Sequence, residues 1–155
     1  MDEHKGIVYK ICRSYCRNRT DRDDLAQEII TQLWRSFETY DDRYKFSTWL
    51  YRVALNVAIS FYRRESRRNR TVLVGNEKLL EAAEDPAGET DELHAIYDLA
   101  DGLSPLNRAL VLLYFDGNSY REIADVLGIT ESNVATKLSR LKQTLRTQYV
   151  AGASA

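Results

Sequence analysis

The sequence predicts an all-α chain of two small helical domains joined by an acidic linker. Three observations carry that prediction. Apolar residues recur every three or four positions from Ile7 to Phe61, the spacing of helices that bury one face. The period breaks between Glu65 and Glu92, where the charge also changes sign. From Ser104 to Arg146, helix starts and stops are written in capping residues. The implied boundaries are 1–66, a linker over 67–92, and 93–150.

The first helix runs from His4 to about Arg19 on the row Ile7, Ile11, Tyr15. Cys12 and Cys16 lie one turn apart on its apolar side, which suits reduced core thiols. A zinc site with His4 as third ligand is the sharper alternative, but structural zinc wants four ligands at tight spacing. Thr20 and Asp23 have the spacing to box the start of a second helix, whose Leu25, Ile29, Leu33, Trp34 and Phe37 make a broad apolar stripe. Its other face, with Asp24, Gln27, Glu28, Thr31 and Gln32, is polar but not basic. Asp23, Asp24 and Glu28 are first-turn acids that the helix dipole favours, so no metal is expected there, while a protein partner remains open.

After the turn Tyr40-Asp41-Asp42-Arg43, Ser47 is placed to cap a third helix, with Phe46 stapled against Tyr51. Leu50, Val53, Ala54, Val57 and Phe61 form its inner stripe. Its outer row runs Arg52, Asn56, Ser60, Arg63 and Arg64. Cations with an amide among them suit nucleic acid: arginines meet phosphate and the amide reads a base. Tyr40, Tyr44, Phe46 and Trp49 precede this row. They are flat side chains that suit either a core or stacking on an unpaired base.

The basic block Arg63, Arg64, Arg67, Arg68, Arg70 gives way to Glu77, Glu81, Glu84, Asp85, Glu89, Asp91 and Glu92 around Asp85-Pro86-Ala87-Gly88, which reads as a tether. A short helix from Leu93 to Ala100, closed by Gly102, opens the second unit. Ser104 caps a helix beginning at Pro105, and Gly117 ends it. Ser119 and Glu122 form a capping box, Gly128 stops that helix, and Thr130 caps the next. A turn of only Gly128-Ile129-Thr130 makes the pair a helix-turn-helix. The last helix buries Val134, Leu138, Leu141 and Leu145 and turns Ser132, Asn133, Ala135, Thr136, Lys137, Ser139 and Arg140 outward, a surface suited to a major groove. Ala151 to Ala155 reads as a loose end.

Composition narrows the function classes. In 155 residues, 44% hydrophobic and 29% charged, there is no run of eighteen apolar residues and no charged-then-apolar leader. Neither a membrane span nor a secretory signal is expected, and the expected location is the cytoplasm. The net charge of −1 is modest for a nucleic-acid binder, so affinity of the free chain for DNA should be weak and salt-dependent. No phosphate-binding glycine loop, paired-histidine metal motif or histidine near a plausible serine or cysteine nucleophile is present. Neither an enzyme nor a cofactor is therefore expected.

Three ordered motifs, Asp24-Leu25-Ala26-Gln27-Glu28, Phe46 to Ala58, and Leu103 to Arg108 leading into Tyr120-Arg121-Glu122-Ile123-Ala124, resemble the compact extracytoplasmic-function (ECF) group of bacterial sigma-70 factors. The resemblance implies a sigma region 2-like bundle and a sigma region 4-like helix-turn-helix. It also implies a dissociable subunit that binds core RNA polymerase through its beta and beta-prime subunits and directs it to promoter DNA. Carried over residue by residue, it assigns Asp24, Gln27 and Glu28 to core-polymerase binding. Arg52, Asn56 and Ser60, continued by Arg63 and Arg64, fall to the minus-ten element, with Asn56 at a base-reading position. Ser132, Asn133, Thr136, Lys137 and Arg140 fall to the minus-thirty-five element. An anti-sigma factor is a further partner the resemblance admits. Ala135 and Ser139 stand where many members carry larger groups, which implies reading of the upstream element with fewer direct contacts or by shape. The nearest rival, a stand-alone helix-turn-helix regulator, leaves the first sixty-odd residues unexplained and should bind duplex DNA alone, as a dimer.

Overall fold

The computed structural model describes residues 2–72 and 89–153, with the side chains of 4–68 and 89–147. Among the described residues every regular element is helical: α1 Asp2–Tyr15, α2 Arg19–Ser36, a 3₁₀ turn Phe37–Thr39, α3 Phe46–Val72, α4 Asp91–Asp101, α5 Pro105–Phe115, α6 Tyr120–Leu127 and α7 Glu131–Ala153.

The second unit follows its caps closely. The Ser104 hydroxyl accepts from the Asn107 N–H at 3.3 Å. Ser119 and Glu122 complete a reciprocal capping box, and the Ser119 backbone N–H holds the Glu122 carboxyl below its usual range. Gly128 closes α6 at φ +69, a left-handed turn that suits glycine. The Thr130 hydroxyl accepts from the Asn133 N–H at 3.0 Å. Val134, Leu138 and Leu141 are buried as one stripe, with Leu145 half-buried at its end.

Several expectations for the first unit are corrected. Asn18, not Thr20, caps α2: its side chain accepts from the Asp21 N–H at 2.8 Å and donates to the Asp21 carboxylate at 2.9 Å. The cap thus stands two residues earlier, with the Asp21 carboxylate held by the Asn18 side-chain amide rather than by its backbone N–H. α3 starts at Phe46, which puts Ser47 inside the first turn rather than before it. α3 also runs on to Val72, well past the end of its apolar period, through a stretch whose arginines and Glu65 are good helix formers. The expected tether therefore loses 67–72 to α3 and its last residues to α4, whose cap is Thr90. Glu77, Glu81, Glu84 and Asp85 lie outside the described residues. The tail is not loose at Ala151, since α7 continues through Ala153.

Trp34 and Phe37 leave the α2 stripe. Leu25 and Ile29 are fully buried, whereas Trp34 is 84% and Phe37 58% exposed. At about 100° per residue, the nine positions from Leu25 to Trp34 turn the side chain to the opposite side of the helix.

The two units pack against each other. α1 touches α4 and α5 as well as α2 and α3, and α3 reaches α5 and α6. The buried residues of both units, from Ile11 and Leu55 to Leu110 and Val134, form one cluster. α3 contributes a second apolar row, Tyr51, Leu55, Ala58 and Tyr62, at roughly 100° from the inner stripe. Its ends meet the C-terminal unit: the Tyr51 hydroxyl donates to Asp116, and the Tyr62 ring lies 4.8 Å from the Arg108 guanidinium. Tyr51 is thus committed to the other unit, while Phe46 packs on His4, Tyr40 and Trp49.

Arg108 sits at the centre of this junction, only 3% exposed. It donates to the carbonyls of Ser14 at 3.0 Å, Asp101 at 3.1 Å and Leu103 at 3.1 Å. The Ser14 and Asp101 oxygens belong to the C-terminal ends of α1 and α4, where carbonyls lack helical partners and the dipole is negative, and Leu103 lies in the turn that follows α4. One guanidinium therefore caps two helices, one from each unit.

Candidate nucleic-acid interface

The outer row of α3 is open to solvent as expected: Arg52, Asn56, Ser60, Arg63 and Arg64 are all exposed. They share a face because α3 buries its other two, one against α1 and α2 and one against the C-terminal unit. Arg64 is not a free cation. It donates to Glu28 at 2.7 Å and lies 5.7 Å from the Phe61 ring. This ion pair joins a residue expected to dock polymerase to one expected to meet DNA, so the two faces abut across the α2–α3 seam.

Upstream of the row, Tyr40, Phe46 and Trp49 pack at ring separations of 5.4–5.7 Å, with Phe37 beside Trp49 at 6.2 Å. Trp49 and Tyr40 are half-buried and Tyr44 is exposed. Tyr40 also donates to the Tyr44 carbonyl at 2.9 Å, which fixes the turn leading into the row. An aromatic wall beside an arginine-lined helix offers flat faces to an unstacked base.

On α7, Ser132, Asn133, Thr136 and Arg140 are exposed and Lys137 is half-buried on the flank of the stripe. Ser139, Lys142, Gln143 and Arg146 continue the outward side as a shallow groove. The last three escaped the sequence reading, which stopped at Arg140. Their positions every three to four residues after Ser139 carried the signal.

On α2, Asp24 and Gln27 are exposed and Glu28 half-buried, beside a groove that includes Thr31, Gln32 and Arg35. The structure adds Ile30, 54% exposed, and Trp34 to this side. A tryptophan left almost bare on a polar face is the kind of apolar anchor found at protein interfaces. Its helical angle, opposite Leu25, was legible; its grouping with the core residues obscured it.

Cys12 and Cys16 are free and buried, and desolvation pushes both thiols up to about 12. No cluster of histidine, cysteine and carboxylate suited to a metal ion occurs among the described residues. No described helix is long and apolar enough to cross a membrane.

Comparison with known proteins matches both units of the chain. Residues 1–68 match the family model for sigma-70 region 2, and residues 93–145 the model for sigma-70 region 4. The chain is 27% identical over 149 residues to RNA polymerase sigma factor SigV of Bacillus subtilis, covering 96% of this chain and 87% of the relative. It is 30% identical over 155 residues to RNA polymerase sigma factor CnrH of Cupriavidus metallidurans, covering 92% and 80%. ECF RNA polymerase sigma factor SigE of Mycolicibacterium smegmatis is 32% identical over 150 residues, covering 93% of this chain and 58% of that one. The fold is shared with CnrH solved in complex with the cytosolic domain of CnrY, at TM-score 0.67 and 24% identity over 97% of this chain and 84% of that one. It is also shared with RpoE from Bartonella quintana in complex with the anti-sigma factor NepR, at TM-score 0.70 and 19% identity over 94% and 93%.

Proposed function

Because the chain belongs to the ECF sigma factors of the sigma-70 family, we propose that it binds core RNA polymerase in the cytoplasm and directs it to start transcription at specific promoters. It works by placing groups on DNA rather than by catalysis of its own. The observation that carries the reading is the pairing of two exposed helical surfaces in one chain. The α3 row of arginines flanks Asn56, and the α7 surface follows a left-handed Gly128 turn.

The division of labour proposed for these surfaces follows their chemistry. Arg52, Arg63 and Arg64 neutralise phosphate near the minus-ten element, while Asn56 presents an amide to a base edge and Ser60 a hydroxyl. The Tyr40–Trp49 cluster receives a base drawn out of the stack. Ser132, Asn133, Thr136, Lys137 and Arg140 enter the major groove of the minus-thirty-five element. Asp24, Gln27 and Glu28 dock the polymerase, and Trp34 and Ile30 supply the apolar anchor that a polar face by itself lacks. Residues 1–66 thus carry core and minus-ten binding, and 93–150 minus-thirty-five binding.

The test is transcript-start mapping with core polymerase, with and without this chain. A defined start that appears only with the chain supports the proposal, and unaltered starts refute it. In the same assay Asn56→Ala should impair opening while core binding stays intact. Loss of core binding instead would show that Asn56 holds the fold.

A further inference from the structure

The middle of the outward α7 surface is lined by short side chains, and one of them has its polar hydrogen already engaged. At about 100° per residue, Thr136 lies nearly opposite the midline of the stripe Val134, Leu138, Leu141 and Leu145 that seats α7 on the protein. It therefore stands at the centre of whatever this helix meets. Ser132 and Ser139 flank it at about 40° and 60° on one side, and Arg140 and Asn133 at about 40° and 60° on the other. All five are exposed. The serines are too short to hold a base edge away from Thr136, so the groove floor can approach it from that side.

The Thr136 hydroxyl donates to the Ser132 carbonyl at 3.0 Å. A hydroxyl has one proton, and this one is turned back into the helix. The branched β-carbon makes the torsion stiff, so the methyl group is held in place with the bond. What Thr136 presents outward is a methyl group and an oxygen that can only accept. Acceptor edges of guanine and adenine gain nothing from such a side chain. Thymine is the base whose major-groove edge carries a methyl group, and the methyl of a threonine packs against it.

We propose that Thr136 determines sequence preference in the upstream element by reading a thymine through its methyl group. The assignment rests on the function proposed above, since it takes α7 to be the helix laid in that groove. It makes T·A the preferred pair opposite Thr136, recognised by apolar contact. Arg140 and Asn133, together on the other flank, are left to read adjoining pairs by hydrogen bonding. The competing use of the same side chain, its oxygen accepting from an amino group of adenine or cytosine, would not depend on any methyl group.

The test uses core polymerase loaded with the full chain and a promoter duplex whose transcript start has been mapped. Each thymine of the upstream element, on either strand, is replaced in turn by deoxyuridine, which keeps the base pair and removes only the C5-methyl. At one thymine or more, the replacement should weaken binding of the wild-type complex about three- to fivefold, the effect of withdrawing one buried methyl group. At that position Thr136→Ser, which keeps the hydroxyl and lacks the methyl, should no longer distinguish thymine from uracil. Thr136→Val, which keeps a methyl and lacks the hydroxyl, should retain the uracil penalty. Circular dichroism checks that both variants fold. Indifference to uracil at every position, a penalty that persists in Thr136→Ser, or a penalty lost in Thr136→Val would each overturn the assignment, the last by making the oxygen the reading group. If chain and core together give no defined start, the proposed function falls and the assignment with it. Defined starts combined with any of the three earlier results refute the assignment alone.

Discussion

Replacing Arg108 by alanine should cost about 3–5 kcal/mol of folding stability, because its three carbonyl partners lose a charged donor inside the protein. The guanidinium bonds Ser14, Asp101 and Leu103 at 3.0–3.1 Å and lies 4.8 Å from the Tyr62 ring and 5.4 Å from the Tyr15 ring. Each charge-assisted bond is worth about 1.5–3 kcal/mol where water is excluded. The sum is then discounted, since truncation admits water to at least one carbonyl and Arg108 Nε has no partner of its own to lose. The assay is urea unfolding followed by circular dichroism, with a companion melt expected to fall by about 6–20 °C at this chain length. Arg108→Lys should recover only part of the loss, because an ammonium cannot reach three divergent oxygens with a planar fork. A cost under about 1 kcal/mol for alanine, or full recovery by lysine, would show that the two helix ends do not depend on this side chain.

Glu28→Lys should weaken core association at least about tenfold while lowering folding stability by less than about 1 kcal/mol, since the Arg64 pair is solvent-exposed; titration of core with labelled chain measures it. Arg140→Ala should cost about 1–3 kcal/mol of promoter affinity at one position of the upstream element if it reads a base, and otherwise lower the salt slope by about one unit across all sequences. The thiols of Cys12 and Cys16, pushed up to about 12 by burial, should stay almost wholly protonated at pH 8. A disulfide reagent should label them slowly in the folded chain and at once in urea, and equal rates would contradict their burial.

How much of this was readable in advance depended on whether a signal was local. Ser104, the Ser119–Glu122 box, Gly128 and Thr130 act on backbone groups within four residues, so their chemistry stands complete in the sequence. The exposed row from Arg52 to Arg64 was legible for a related reason: cations at one helical angle have few stable alternatives to solvent or phosphate. Asn18 was passed over because Thr20 and Asp23 offer an equally good box two residues later, and only packing chooses between registers. Tyr51, Leu55 and Tyr62 were unreadable as a separate surface because their partner lies more than forty residues away. Arg108 was recognisable as part of a motif, yet its role depends on two helix ends that periodicity does not bring together.

Because α3 serves three neighbours at once, its length is fixed more tightly than its composition. A single residue inserted after Val53 would rotate everything downstream by about 100°. That would swing Asn56 toward the bundle, lift Leu55 and Tyr62 off the other unit and separate Arg64 from Glu28 in one step. Point changes along its solvent side remain individually tolerable, and an insertion in the 40–45 turn leaves the register of the three sides intact. Length changes compatible with both folding and promoter use are therefore confined to the segments between helices.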